Sequence, residues 1–141
     1  MLLDANLLIY AADRRANLHE ETAAWLTEQL NGSRRVGLPW QSLAAFLRIS
    51  THPGAFQTPL EPAVACEQVS DWLAAPAAWV PQPGPDHAVL LEGMILRHDV
   101  RGRLVPDAQL AALALEHGLA VCSTDTDFAR FTQVEWRNPL A

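Results

Sequence analysis

What most limits the folding of this chain is that its strand-like segments are very short, strongly apolar, and mostly set apart by helical ones. Met1–Leu3, Arg35–Leu38, Ala78–Val80, Leu119–Ser123 and Val134–Trp136 read as strands, and none exceeds five residues. A helix starts over Asn6–Ala11. Leu18–Leu30 carries Ala23, Leu26 and Leu30 at helical spacing and stops at Asn31–Gly32. Pro39 opens a helix to Ser50 with Leu43, Phe46, Leu47 and Ile49 on its apolar side. Pro59–Pro62 introduces another that ends near Ala74, before Pro76. Asp86–His98 follows, and AQLAALALEHG after Pro106–Asp107 is stopped by Gly118 as a left-handed cap. Short apolar strands alternating with helices predict an α/β domain, a mostly parallel sheet and helices over both faces. Its crossovers are expected to be right-handed.

The 141 residues suit one domain over 1–141, since domains commonly hold on the order of 100–150 residues. The opening MLLDANLLIY has no basic stretch and meets an acid at Asp4, which argues against a secretory signal. No apolar run approaches the ~18 residues of a membrane span. Cys66 and Cys122 are too few for a disulfide framework or zinc site, and are expected as small buried residues in a reducing cytoplasm. Every one of the ten basic residues is Arg, and the formal net charge is −6. That balance argues only weakly against a nucleic-acid partner, since acids converging on one metal site would inflate it, and it leaves the question open. Arg14–Arg15, Arg34–Arg35 and Arg97/Arg101/Arg103 are nonetheless local basic clusters.

Three separated stretches point acids at one edge of the expected sheet. Asp4 directly follows the first strand, Asp125 and Asp127 follow Leu119–Ser123, and Asp107 begins a helix. Ligands of open α/β sheets bind outside the carboxyl ends of the strands. Taken singly, each acid has an ordinary explanation: Asp107 as a helix N-terminal charge, Asp125 and Asp127 as turn residues. Asp4 is harder to dismiss, because an acid among Leu2, Leu3, Leu7 and Leu8 is costly unless paired or coordinated. If Asp4, Asp107 and Asp125 meet, like charges about 4 Å apart repel by ~4 kcal/mol at an effective dielectric near 20. There is no Lys, and no Arg lies beside any of the three in sequence. All-oxygen ligands then favour Mg²⁺ or Mn²⁺ over zinc. A carboxylate-held ion of that kind activates water against phosphodiesters. The residues alone carry as far as metal-assisted phosphate chemistry.

MLLDANLLIYA, VPDAQLAALALEHG and STDTDFARF together resemble PIN-domain nucleases, and more closely the VapC-type toxins of bacterial toxin–antitoxin pairs. HEETAAWL, GLPWQSLAAFLRIST and VEWRNPL resemble one VapC subgroup. The resemblance implies a PIN-like three-layer domain, with four to five mostly parallel strands between helices. It implies a cytoplasmic Mg²⁺- or Mn²⁺-dependent endoribonuclease, a homodimer silenced by a VapB-like antitoxin and meeting DNA only through that antitoxin. Asp4, Asp107 and Asp125 would be the metal ligands and Asp127 the accompanying acid. Asn6 would steer Asp4, and Ser123 or Thr124 would bond a carboxylate or a metal-bound water. One departure is Phe46, which stands where many PIN domains carry Glu; no acid occurs between Glu28 and Glu61.

Arg130 is placed to reach a phosphate, with a plain surface role as its equal alternative. Trp40, at a helix start, is the tryptophan best suited to stack on a base. Trp25 and Trp72 read as core, and the five His show no paired metal spacing. Ser42 lacks a GxSxG elbow, and no GxGxxG or P-loop is present. Two other functions compete with the nuclease. One is an impaired PIN-like binding module acting through its antitoxin, and the other is a small-molecule phosphohydrolase.

Overall fold

A computed structural model describes residues 1–141. Its strands are β1 (Leu2–Leu3), β2 (Val36–Gly37), β3 (Ala78–Trp79), β4 (Val121–Cys122) and β5 (Trp136–Arg137). Its helices are α1 (Ala5–Ala12), α2 (His19–Leu30), α3 (Trp40–Ser50), α4 (Pro62–Ala74), α5 (His87–Arg97) and α6 (Val105–His117). Single 3₁₀ turns lie at Gly102–Leu104 and Thr126–Arg130. The five strands run in the order β3-β2-β1-β4-β5, and every neighbouring pair is parallel. The first strand in the chain is therefore the central one.

Alternation along the strands divides the interior into two cores. Leu3 and Cys122 point to one face, where α1 to α4 bring Leu7, Leu26, Leu43, Phe46, Val69 and Trp72. Leu2 and Val121 point to the other, against Met94 of α5 and Ala108 to Ala114 of α6. Consecutive side chains of a strand face opposite ways, so two-residue strands suffice to seed both layers. Helix α6 is buried over Leu110–Ala114 on all its sides, as befits a helix held between the sheet and α5.

The last strand departs from expectation. It lies at Trp136–Arg137, in register with Val121–Cys122. Val134 is drawn instead into the preceding turn by its N–H bond to the Phe131 carbonyl, and packs on the second core. Cys66 also differs from the sequence-based expectation: it is exposed on α4, whereas Cys122 is buried as expected. Trp72 is buried, and Trp25 packs partly against the same core. No helix is long and apolar enough to cross a membrane.

Gly118 closes α6 at φ +66°, and a Cβ placed there would meet nothing within 4 Å. Any penalty for a side chain is thus conformational rather than steric crowding. Gly118→Val should lower unfolding stability by about 1–2 kcal/mol, read as a shift of the urea midpoint with an unchanged slope.

Candidate metal centre

The parallel pairing of β1 with β4 brings the chain segments of the site side by side. Beyond the paired strands, the Asp4 N–H still donates to the Cys122 carbonyl at 3.0 Å. Asp4 is therefore fixed by the ladder at the strand end. It also caps α1, accepting the Ala5 N–H at 2.8 Å. Immediately past β4, the fully buried Ser123 acts as a hub. Its hydroxyl donates to Asp4 Oδ2 at 2.7 Å and accepts the Asp125 N–H at 3.0 Å. Asn6 donates from Nδ2 to both the Ser123 and Thr124 hydroxyl oxygens, each at 3.0 Å. The one Ser123 proton goes to Asp4, so its oxygen must accept from Asn6, which fixes the amide orientation. The indole N–H of Trp136 on β5 donates to the Ser123 carbonyl at 3.0 Å.

Asp107 arrives on the first turn of α6. Asp125 caps the turn Thr126–Arg130 by accepting the Asp127 N–H at 2.8 Å. Asp107, Asp125 and Asp127 each offer a carboxylate oxygen within 4.8 Å of the others. Asp4 stands outside that trio, with oxygens engaged by Ser123 and Ala5. The four acids still feel one another. Burial pushes Asp107 up to about 6, with the Asp4, Asp125 and Asp127 charges adding and Arg103 opposing. Burial also raises Asp4, against the bonds from Ser123 and Ala5 and with help from Asp125.

Arg103, read in the sequence only as part of a basic cluster, is a residue of the site. It precedes Asp107 by only four positions, yet adjacency in sequence was the wrong test. The turn at Gly102–Leu104 brings its Nη1 to 3.3 Å from Asp127 Oδ2, and Arg130 Nη2 lies 3.6 Å from Asp127 Oδ1. The acids are thus partly compensated by arginine. Gln41 was also missed: its Nε2 donates to the Pro106 carbonyl at 2.6 Å and ties α3's first turn to that of α6. Trp40, 51% exposed, is its neighbour on this rim. Ser42 donates to the Leu3 carbonyl at 2.7 Å, a structural bond that leaves it no role as a nucleophile.

A family model described as PIN domain matches residues 1–133. The chain belongs to the PIN domain family. Among its relatives, Ribonuclease VapC37 of Mycobacterium tuberculosis is 43% identical over 140 residues, covering 99% of this chain and 97% of that one. Ribonuclease VapC33 of the same species is 36% identical over 137 residues, covering 97% and 96%. The fold matches VapBC2 from Rickettsia felis, bound to a DNA fragment from their promoter, with a TM-score of 0.70 at 11% identity, covering 97% and 96%. It also matches FitAcB from Neisseria gonorrhoeae with a TM-score of 0.69 at 22% identity, covering 99% and 97%.

In this PIN domain Phe46 is a core residue. It is fully buried and packs edge-on against Trp72 at 4.8 Å between ring centroids. The side of α3 that meets the site is that of Gln41, so Phe46 fills the interior rather than leaving a gap among the ligands. The donor set itself fits a hard divalent ion: the close trio is all carboxylate, with no His or Cys, which suits Mg²⁺ or Mn²⁺.

Because Asp107 is raised, protons compete with any cation there. Mn²⁺ affinity should fall by about tenfold per pH unit below pH 6, for one displaced proton. The metal-free protein should behave in the opposite sense. A carboxyl raised by folding stabilises fully below its ordinary range and loses that contribution as pH rises through about 6. Calorimetric titration with Mn²⁺ and melting curves in chelator across this range check both signs.

Proposed function

We propose that this PIN domain is an endoribonuclease toxin of the VapC kind, hydrolysing RNA phosphodiester bonds at its aspartate cluster. The observation that carries the reading is the convergence of Asp107, Asp125 and Asp127, within 4.8 Å of one another, at the strand end where Asp4 sits. Its relatives named ribonuclease span nearly the whole chain. Asp107, Asp125 and Asp127 would hold Mg²⁺ or Mn²⁺, with Asp4 beside them as a fourth acid held by Ser123 and Ala5. Such an ion supplies a water nucleophile and charge stabilisation at a phosphate.

The chain's own residues prepare that chemistry. Ser123 and Asn6 lock Asp4 and the backbone of Asp125, so the acids cannot relax apart. The dipole of α6 favours the Asp107 anion at its first turn, partly offsetting its burial. Arg130 lines the opening, and exposed Trp40 offers a face on which a base can stack. A VapB-like antitoxin is the expected partner, through which alone the protein would meet DNA; the fold matches to VapBC2 and FitAcB support this. The assembly is expected to act in the cytoplasm. A homodimer is supported by α5, where Val89 and Leu96 are each 72% exposed. Between them Gly93 has open space beside its backbone, so one helical stripe permits close approach of a second copy.

Purified protein should cut RNA, and chelator should abolish the activity. Asp107→Asn should reduce kcat at least about a hundredfold, the scale expected when a metal ligand is removed. It should not lower the melting temperature at neutral pH, because it removes repulsion. Ser123→Ala should cost roughly 10–100-fold through loosened acids. Cleavage that survives chelator and Asp107→Asn would falsify the assignment.

Leu96→Asp should convert a dimer into a folded monomer in sedimentation. A wild type that sediments as a monomer at every concentration removes the dimer from the proposal.

A further inference from the structure

The ion pairs at Asp127 are unlike the other contacts of the site. Both oxygens of this one carboxylate are met by arginines from different parts of the chain: Oδ2 by Arg103 and Oδ1 by Arg130. The Arg103 side chain is 81% exposed and touches Asp127 through Nη1 alone. Its remaining donors face solvent. Arg103 is nevertheless well placed, because the next residue, Leu104, packs on the second core and the turn runs straight into α6. Its neighbour Arg101 is committed elsewhere, to Asp99 at 3.0 Å. A single-contact pair this exposed is weak, whereas a phosphate can engage the same guanidinium through two parallel N–H bonds.

An RNA strand entering the cluster presents a row of phosphates to a pocket of four aspartates. Repulsion there must be relieved by cations on the path, and Arg103 and Arg130 stand at the mouth. We propose that Arg103 exchanges partners: it holds Asp127 in the empty enzyme and turns to a backbone phosphate of bound RNA, leaving Asp127 Oδ2 free of it. Arg130, less exposed at 36%, keeps its side of Asp127. The exchange rests on the nuclease reading, and it assigns to Arg103 both RNA binding and control of one metal-binding acid.

A double-mutant cycle tests the exchange. Binding of a labelled single-stranded RNA oligonucleotide is measured by anisotropy, in chelator so that nothing is cut, across a range of salt. Arg103→Ala should weaken binding roughly tenfold at low salt, the size of one charge-assisted hydrogen bond. It should also flatten the log–log salt slope by about 0.7, as when one phosphate fewer is neutralised on a single strand. Arg103→Lys should recover most of the slope and only part of the affinity. Asp127→Asn should tighten RNA binding several-fold by freeing Arg103 and removing one repelling charge, and the gain should be clearly smaller when Arg103 is already Ala. Arg103 is exposed and Asp127 half-buried, and melting curves check that the variants are folded. Equal gains from Asp127→Asn in both backgrounds would overturn the exchange, as would RNA binding indifferent to Arg103. In either case a wild type that still cuts RNA leaves the nuclease assignment standing. A wild type that neither binds nor cuts RNA overturns both.

Discussion

The site depends on the parallel ladder between the first strand and the fourth. Leu2 pairs with Val121 and Leu3 with Cys122, and the next rung is made by Asp4 itself, whose N–H reaches the Cys122 carbonyl. A slip of one residue would exchange the faces of Leu2 and Leu3 and unseat both cores. The register is therefore enforced by packing on two sides at once. Once it is set, Asp4 and Ser123 stand at adjacent strand ends and their 2.7 Å bond follows without further adjustment. Residues 119 positions apart in sequence are joined directly at the floor of the pocket.

Around that bond the acids are kept in a state they would not choose singly. Burial and mutual repulsion raise Asp4 and Asp107, so the folded chain carries electrostatic strain that solvent would relieve if the acids could separate. They cannot, because each is anchored by backbone rather than by a flexible side-chain contact. Asp4 sits on the ladder and caps α1, Asp107 is carried by a helix buried over Leu110–Ala114, and Asp125 caps the turn that presents Asp127. Two well-packed cores hold an unfavourable charge arrangement in place. That preorganisation is what makes a divalent ion the natural neutralising partner.

Much of this was legible in the sequence, and for identifiable reasons. Strands that are apolar throughout cannot be half-solvated, so the parallel sheet with two covered faces followed from Met1–Leu3 and Leu119–Ser123 alone. Acids placed directly after such strands could only gather at one edge. What remained hidden depended on three-dimensional direction. Arg103 was missed because its approach to Asp127 is set by a 3₁₀ turn and a positive φ at Gly102, which apolar spacing does not reveal. Phe46 looked like a missing ligand because its rotation about α3 was unknown; the ring faces Trp72. Cys66 was expected inside on residue type alone, but α4 turns it outward.

The whole-chain charge of −6 is a poor guide to any one surface, for a physical reason that bears on function. Four of the sixteen acids are collected at one site, where Arg103 and Arg130 pair with Asp127. The remaining twelve acids and eight arginines still leave the rest of the chain acidic. Beyond about 10 Å at ordinary ionic strength, screening removes most of what a strand of nucleic acid would feel of any distant charge. For the proposed RNA substrate the local pattern at the site would count for more, and there Arg103 and Arg130 each pair with Asp127. Net charge counts those arginines and aspartates as cancelling, but their order along the path of approach decides whether a phosphate is repelled or drawn in.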